Sequence, residues 1–348
     1  MSFFSRIFLL AIVLSLAACG KKELPTYEEQ GYVFGTLVEV SIYGEEDAKA
    51  RKAVTTVMRE FQRLHDLLHA WKPSALSDLN AAIARGESRK VTPELAAMLK
   101  DAAQLSAQSD GLFNPAIGGL VRLWGFHADE FKAALPDERQ LAALVAAKPQ
   151  MSDLTFSPLP ATVGSRNPAV LLDLGGYAKG YALDRAADLL MLQGVHNALI
   201  NIGGNVLALG QHGDRAWRIG IQHPRKPGPI ATLELHDGEA IGTSGDYQRY
   251  FEVGGKRYCH LIDPRSGQPV QGVQAVTILT HGARAGTLSD ASSKPLFLSG
   301  SAGWRNAAQK MNLPEALLID GEGVVHLSAA MQKRLEFADQ ATIRKVEP

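Results

Sequence analysis

The sequence predicts an α+β fold, a single large domain in which mixed sheets are flanked by helices. Three observations carry that expectation. Apolar residues recur at helical spacing in the first half, β-branched and aromatic runs dominate beyond Trp217, and no repeat or low-complexity linker divides the chain. With 348 residues, 46% hydrophobic and 21% charged, the composition is that of an ordinary globular protein with enough apolar surface for a core.

Tyr32 to Tyr43 reads as a strand that stops at Gly44. Residues 45–68 place Val54, Val57, Met58, Phe61, Leu64 and Leu68 on one helical face. A second helix spans Pro93 to Ser109, with Thr92 as N-cap and Pro93 in the first helical position. A third runs from Asp137 to Ala147. Val170 to Leu174 and Asn197 to Leu209 read as strands with a helix, Lys179 to Leu192, between them. Strands are then expected at Trp217–Gln222, Ala231–Leu235, Arg249–Val253, Arg257–Ile262 and Val273–Thr280. One helix follows Ser289 and another covers Trp304 to Met311. A hairpin around Asp320-Gly321 joins Ala316–Ile319 to Val324–Leu327.

The N-terminus reads as a processing signal. Arg6 is followed by a short apolar run, Ile7 to Ala18, shorter than the ~20 residues a membrane-spanning helix needs. Leu16-Ala-Ala-Cys19 resembles the bacterial lipobox, in which a cysteine is acylated and becomes the new N-terminus. The chain therefore divides into a lipoprotein signal peptide (1–18), a lipidated Cys19 with a polar tether (19–30), a catalytic domain (31–340) and a C-terminal tail (341–348). This places the domain outside the cytoplasm, lipid-anchored to a membrane and facing the periplasm. Gly20, rather than Asp, after the cysteine favours the outer membrane. With Cys19 acylated only Cys259 remains, so neither an internal disulfide nor a thiolate metal cage is expected. Lys+Arg and Asp+Glu are 36 each, which offers no excess charge for nucleic acid.

Four glycine-rich or polar segments carry candidate chemistry. In Asp173-Leu-Gly-Gly-Tyr-Ala-Lys179 an acidic strand end and two glycines lead into a helix with a lysine in its first turn. Free N–H groups, the positive helix end and Lys179 suit a phosphate, yet the segment serves equally as a plain strand–turn–helix. Ile200-Asn-Ile-Gly-Gly204 reads as a strand entering a tight turn. Gly242 to Phe251 sets hydroxyls and Asp246 before an aromatic strand. Tyr258 to Gly267 sets His260 on a strand near Asp263 and Arg265, where a histidine is either structural or functional.

Taken in order, Phe34-Gly-Thr36, Ser77-Asp-Leu-Asn80, Gly111 to Gly118 with Leu123-Trp-Gly-Phe126, the Asp173 segment, Ile200 to Gly204, Thr243-Ser-Gly-Asp246, His260 to Gly267 and Ser289-Asp-Ala291 resemble the FAD:protein FMN transferase (ApbE) family. The resemblance runs from about Tyr32 onward. It implies a T-fold-like α+β domain that binds FAD and moves its FMN half onto a Ser or Thr hydroxyl of an acceptor protein, releasing AMP. FAD pyrophosphatase activity and non-catalytic FAD binding are the alternatives.

By the same resemblance, Phe34, Trp71, Asn114, Pro115, Ala116, Asp173, Lys179, Thr243 and His260 contact FAD. Gly176, through its carbonyl, and Asp290 hold Mg²⁺ near the pyrophosphate. His260 is the candidate general base; an imidazole of ordinary pKa, ~6.5, needs no large tuning for this. The acceptor is a separate protein, a membrane-associated respiratory or electron-transfer component. Three positions depart from the family pattern: Asn114 stands for Asp, Ala116 for Thr, and Lys294 for the Thr that ligates the metal. A protonated lysine cannot ligate a cation. Either Mg²⁺ still binds through Asp290 and Gly176, or Lys294 takes its place.

Overall fold

In the computed structural model, which describes residues 24–128 and 130–347, nine strands form one sheet whose spatial order follows the chain. They are β1 (Thr26–Val33), β2 (Thr36–Tyr43), β3 (Ala198–Ile202), β4 (Asn205–Leu209), β5 (Glu239–Gly245), β6 (Val273–His281), β7 (Glu315–Asp320), β8 (Val325–Ser328) and β9 (Arg344–Glu347). Neighbours are antiparallel except β8 and β9, which run parallel. Between β2 and β3 come α1 (Asp47–Leu68), α2 (Ala75–Ala84), α3 (Pro93–Gln108), α4 (Gly118–Leu123), α5 (Glu138–Ala147) and α6 (Ala178–Leu192). Helix α7 (Ala285–Lys310) joins β6 to β7, and α8 (Ala329–Arg334) follows β8. The signal segment and Cys19 lie outside the described residues.

The central strands are covered on both faces, so their side-chain alternation feeds two cores. On one face Val276 and Ile278 of β6 and Leu318 of β7 pack with Leu296, Phe297 and Trp304 of α7. On the other, Leu279, Leu317 and Ile319 meet Trp217, Ile221 and Leu233 of a smaller sheet. That sheet consists of Trp217–Gln222, Pro229–Leu235 and Glu336–Phe337. Helices α1 and α6 bury their apolar stripes against β2 and β3, with Val54, Val57, Phe61, Leu64 and Leu68 facing inward from α1. Helix α3 starts at the expected cap, where Thr92 Oγ1 accepts from the Leu95 N–H.

Several expected elements take a different form. Asn197 to Leu209, expected as one strand, is the antiparallel pair β3 and β4, turned at Gly203-Gly204, both at positive φ. Tyr32 to Tyr43 is two strands, because Phe34 and Gly35 both adopt positive φ (56° and 70°) and close a two-residue hairpin turn. The first of them starts at Thr26, within the stretch expected as a tether. Val170 to Leu174 is no strand: both the N–H and the C=O of Leu172 are taken by the buried Asn80 side chain, at 2.7 and 2.9 Å. The flanking Leu171 and Asp173 N–H groups go to Ala116 and Pro115 carbonyls, so a side chain and a loop replace a partner strand. The strand expected to reach Ile262 ends at Cys259. The α7 helix begins before Ser289, at Ala285, and breaks only at Gly300, where φ is +65°. The expected C-terminal tail supplies β9.

Candidate active site

A cavity of about 1030 Å³ opens where the β1–β2 turn, the C-terminal end of α1, the N-terminal end of α6, β5 and the middle of α7 meet. Phe34 and Trp71 line its rim. The left-handed backbone at Phe34 carries the ring out of the turn towards His65 and Phe61, with ring centroids at 5.8 and 6.2 Å. Trp71 packs on His127 at 5.6 Å.

Asn114 and Pro115 form another wall. The Asn114 amide donates to the Pro149 carbonyl (2.9 Å) and accepts from the Ala116 N–H (3.1 Å). A carboxylate would set acceptor against acceptor at Pro149, which accounts for asparagine here. Ala116 is not part of the cavity lining. It is fully buried in the main core, because the 115–118 backbone is turned to pair with 171–173.

Asp173, Gly176 and Lys179 also line the cavity. Asp173 Oδ1 accepts from the Gly175 N–H at 2.9 Å, which ties the glycine turn to its own preceding residue. Burial raises the Asp173 carboxyl above its usual range, and this N–H, Arg249 and His69 oppose the rise. Thr243, from β5, shares a 2.9 Å hydroxyl contact with Thr277.

Asp290 lies behind the cavity wall, fully buried in α7. Its Oδ2 accepts from the Gly180 N–H (3.0 Å) in the first turn of α6, while its Oδ1 takes the Lys294 ammonium. Burial alone would raise the Asp290 carboxyl, but the Lys294 and Lys179 ammonium groups hold it below its usual range. Lys294, one helical turn on, is itself part of the lining.

His260, expected within a strand, sits one residue past the end of the observed strand Lys256–Cys259 and faces the cavity. Its Nδ1 is 3.3 Å from the Arg249 carbonyl. A carbonyl only accepts, so Nδ1 carries the proton and Nε2 keeps a free lone pair. The imidazole is far from its ordinary pKa. Burial pushes it down to about 3, helped by Arg249, Lys179 and Lys294, so it is neutral at any physiological pH. Asp263 and Arg265 pair with each other in a turn and take no part in the lining.

Sequence reasoning missed Arg249, His65 and His69, which also line the cavity. The histidines carried a signal, since residues four apart share one helix face. Arg249 carried none, being a lone arginine at a strand start. Its guanidinium fixes the 126–128 loop through the Phe126 and Ala128 carbonyls.

Residues 34–318 match the ApbE family. The chain is 44% identical to an FAD:protein FMN transferase of Rhodobacter capsulatus over 90% of its own length, although it spans only 59% of that relative. It is 32% identical to the Treponema pallidum FAD:protein FMN transferase, with 95% of each chain covered. Among solved structures, the ApbE protein of Thermotoga maritima superposes with a TM-score of 0.82 at 29% identity, covering 89% of this chain and 99% of that one. The flavin transferase ApbE of Vibrio cholerae gives 0.76 at 26% identity, with coverage of 89% and 99%. The family match spans most of the chain, the superposed architecture accords with it, and the chain belongs to the ApbE family.

Proposed function

We infer that the protein transfers the FMN half of FAD to a hydroxyl of an acceptor protein, with release of AMP. The observation that carries this is a single cavity whose lining brings together a neutral imidazole, His260, and the ammonium groups of Lys179 and Lys294. Relatives across most of the chain bear the name FAD:protein FMN transferase.

The acceptor Ser or Thr oxygen attacks the phosphorus of the FMN half. The bond from that phosphorus to the bridging oxygen breaks, and AMP leaves with that oxygen. The hydroxyl proton passes to His260 Nε2. A weak base suffices, because phosphoryl transfer has a loose transition state with little demand for a strong nucleophile. Charge developing on the phosphate oxygens meets Lys179 and Lys294, in a wall already excluded from most solvent. Phe34 and Trp71 offer aromatic faces to the heteroaromatic rings of FAD.

The Mg²⁺ implied by the resemblance is not matched by these side chains. Both Asp290 oxygens already accept hydrogen bonds, and a lysine stands where a ligating threonine was expected. No step is assigned to a metal.

We place the enzyme outside the cytoplasm, anchored by acylated Cys19, with membrane-associated respiratory or electron-transfer proteins as acceptors; the lipobox-like Leu16-Ala-Ala-Cys19 supports this. Labelled palmitate should enter the wild type and not Cys19→Ala, and equal labelling would remove the anchor. For the transfer itself, the purified protein is incubated with FAD and a candidate acceptor. A fluorescent acceptor band on a denaturing gel, with stoichiometric AMP, is expected. AMP with free FMN would make the protein a pyrophosphatase, and bound FAD without AMP a binding module.

A further inference from the structure

We propose that the Lys294 ammonium occupies the place of a divalent cation in this chain, so that the FAD pyrophosphate is held without a metal. The inference rests on the FAD reading above and concerns how the phosphates are neutralised.

The geometry is specific. Lys294 Nζ donates to the Asp290 backbone carbonyl at 2.6 Å and to Asp290 Oδ1. Asp290 Oδ2 is engaged by the Gly180 N–H. The carboxylate therefore has one oxygen on a helix N-terminus and the other on a lysine, in full burial. The lysine stem passes over Gly176, the other residue expected to hold the metal. A Cβ on Gly176 would stand 3.1 Å from Lys294 Cε and 3.8 Å from its Nζ. A side chain at 176 would crowd that path. The ammonium thus sits on Asp290, and its stem runs beside Gly176, the two residues expected to hold the metal.

An ammonium has three N–H donors, and Asp290 takes two of them. The third is available to an oxygen in the cavity, which Lys294 lines. The side chain is 16% exposed and held by an i,i+4 contact on its own helix, so its head is pre-positioned. Mg²⁺ requires near-octahedral oxygen coordination at ~2.0–2.1 Å. Here Asp290 Oδ1 would have to release a cation to accept another, with the displaced ammonium left beside it. Asp290 with Lys294 sums to zero, and Lys179 at the start of α6 adds positive charge to the cavity lining.

The test compares wild type and Lys294→Thr after EDTA treatment and dialysis, reading FAD affinity by flavin fluorescence and metal binding by the Mn²⁺ EPR signal, with Mg²⁺ in parallel. Wild type is expected to bind FAD with Kd unchanged within twofold whether EDTA or Mg²⁺ is present. It should take up no stoichiometric Mn²⁺, alone or with FAD. Lys294→Thr is expected to lose at least tenfold in FAD affinity in EDTA, to regain it with Mg²⁺, and to bind one Mn²⁺. A wild type that binds one Mn²⁺ and loses tenfold or more in FAD affinity in EDTA overturns the proposal, even if the variant does not fold. A wild type that binds FAD in neither buffer overturns the FAD reading, and this inference with it.

Discussion

Asp184 and Asp290 cap each other's helices. Asp184, on α6, accepts from the Gly286 and Thr287 N–H groups in the first turn of α7, at 2.7 and 2.8 Å, and from the Thr287 hydroxyl. Asp290, on α7, accepts from the Gly180 N–H in the first turn of α6. Each helix thus satisfies first-turn donors of the other, one on α6 and two on α7. Gly180 and Gly286 make this approach possible. A Cβ on Gly180 would lie 2.2 Å from the Gly286 carbonyl oxygen, and one on Gly286 would lie 2.5 Å from that of Gly180.

Gly180→Ala should therefore push α6 and α7 apart. Overpacking of this kind costs roughly 1–3 kcal/mol. The shift also moves Lys179 relative to Lys294, so transfer activity should fall more than stability does. Thermal melting and AMP release on the same sample check this. A variant with wild-type activity would separate the helix contact from the site.

Burial raises the Asp184 carboxyl to about 6, despite its three donors. Between the unfolded value near ~3.8 and 6 the folded state keeps a proton that the unfolded state has released. The contribution of Asp184 to stability is therefore largest at low pH, declines as pH rises through that window and levels off above it. Asp184→Asn lacks this slope. The melting temperature of the variant minus that of wild type should rise from pH 4 to 6 and then stay flat. A difference that falls over the same range would mean that the donors win over burial.

His260 should show no ring titration between pH 5 and 8 in NMR spectra of the FAD-free protein, its peaks being assigned by their loss in His260→Ala. A midpoint near 6.5 would contradict the burial and the three neighbouring cations. In the same variant, transfer should drop by about 10²-fold or more, the usual contribution of a positioned base, while FAD still binds.

Phe34 pays for its position, since a non-glycine residue in the left-handed region costs roughly 1–2 kcal/mol. Asparagine suits the first position of this turn. Phe34→Asn should leave the melting temperature within a few degrees of wild type, as relief of the backbone offsets lost contact with Phe61 and His65. Loss of an aromatic face is worth about 1–3 kcal/mol in comparable stacking, so the FAD Kd should rise about tenfold. Unchanged affinity would assign Phe34 to packing alone.

Much of the site was legible because its chemistry sits in short contiguous segments. Asp173 with Lys179, and Asp290 with Lys294, are each within one or two helical turns, and the topology needs only to bring the two segments together. The depressed basicity of His260 was not legible, since it arises from burial in the folded chain and, after that, from Arg249, Lys179 and Lys294, which come from three separate elements. Nor was the role of Asn80, whose amide replaces a whole partner strand for Leu172 from 92 residues away. Ala116 was misplaced for a related reason. Motif position says which backbone passes the cavity, while the pairing of that backbone decides which side chains face it.

The short last strand bears on how the protein survives in solution. β9 covers the open side of β8, and its Arg344 and Lys345 present charge along an edge that would otherwise be bare. Flat, unpaired edges are templates for association with other chains. A chain that stops at Gln340 would keep its cavity and helices but expose the backbone of Val325 to Ser328. Self-association, rather than loss of FAD, is then the first consequence of trimming the C-terminus.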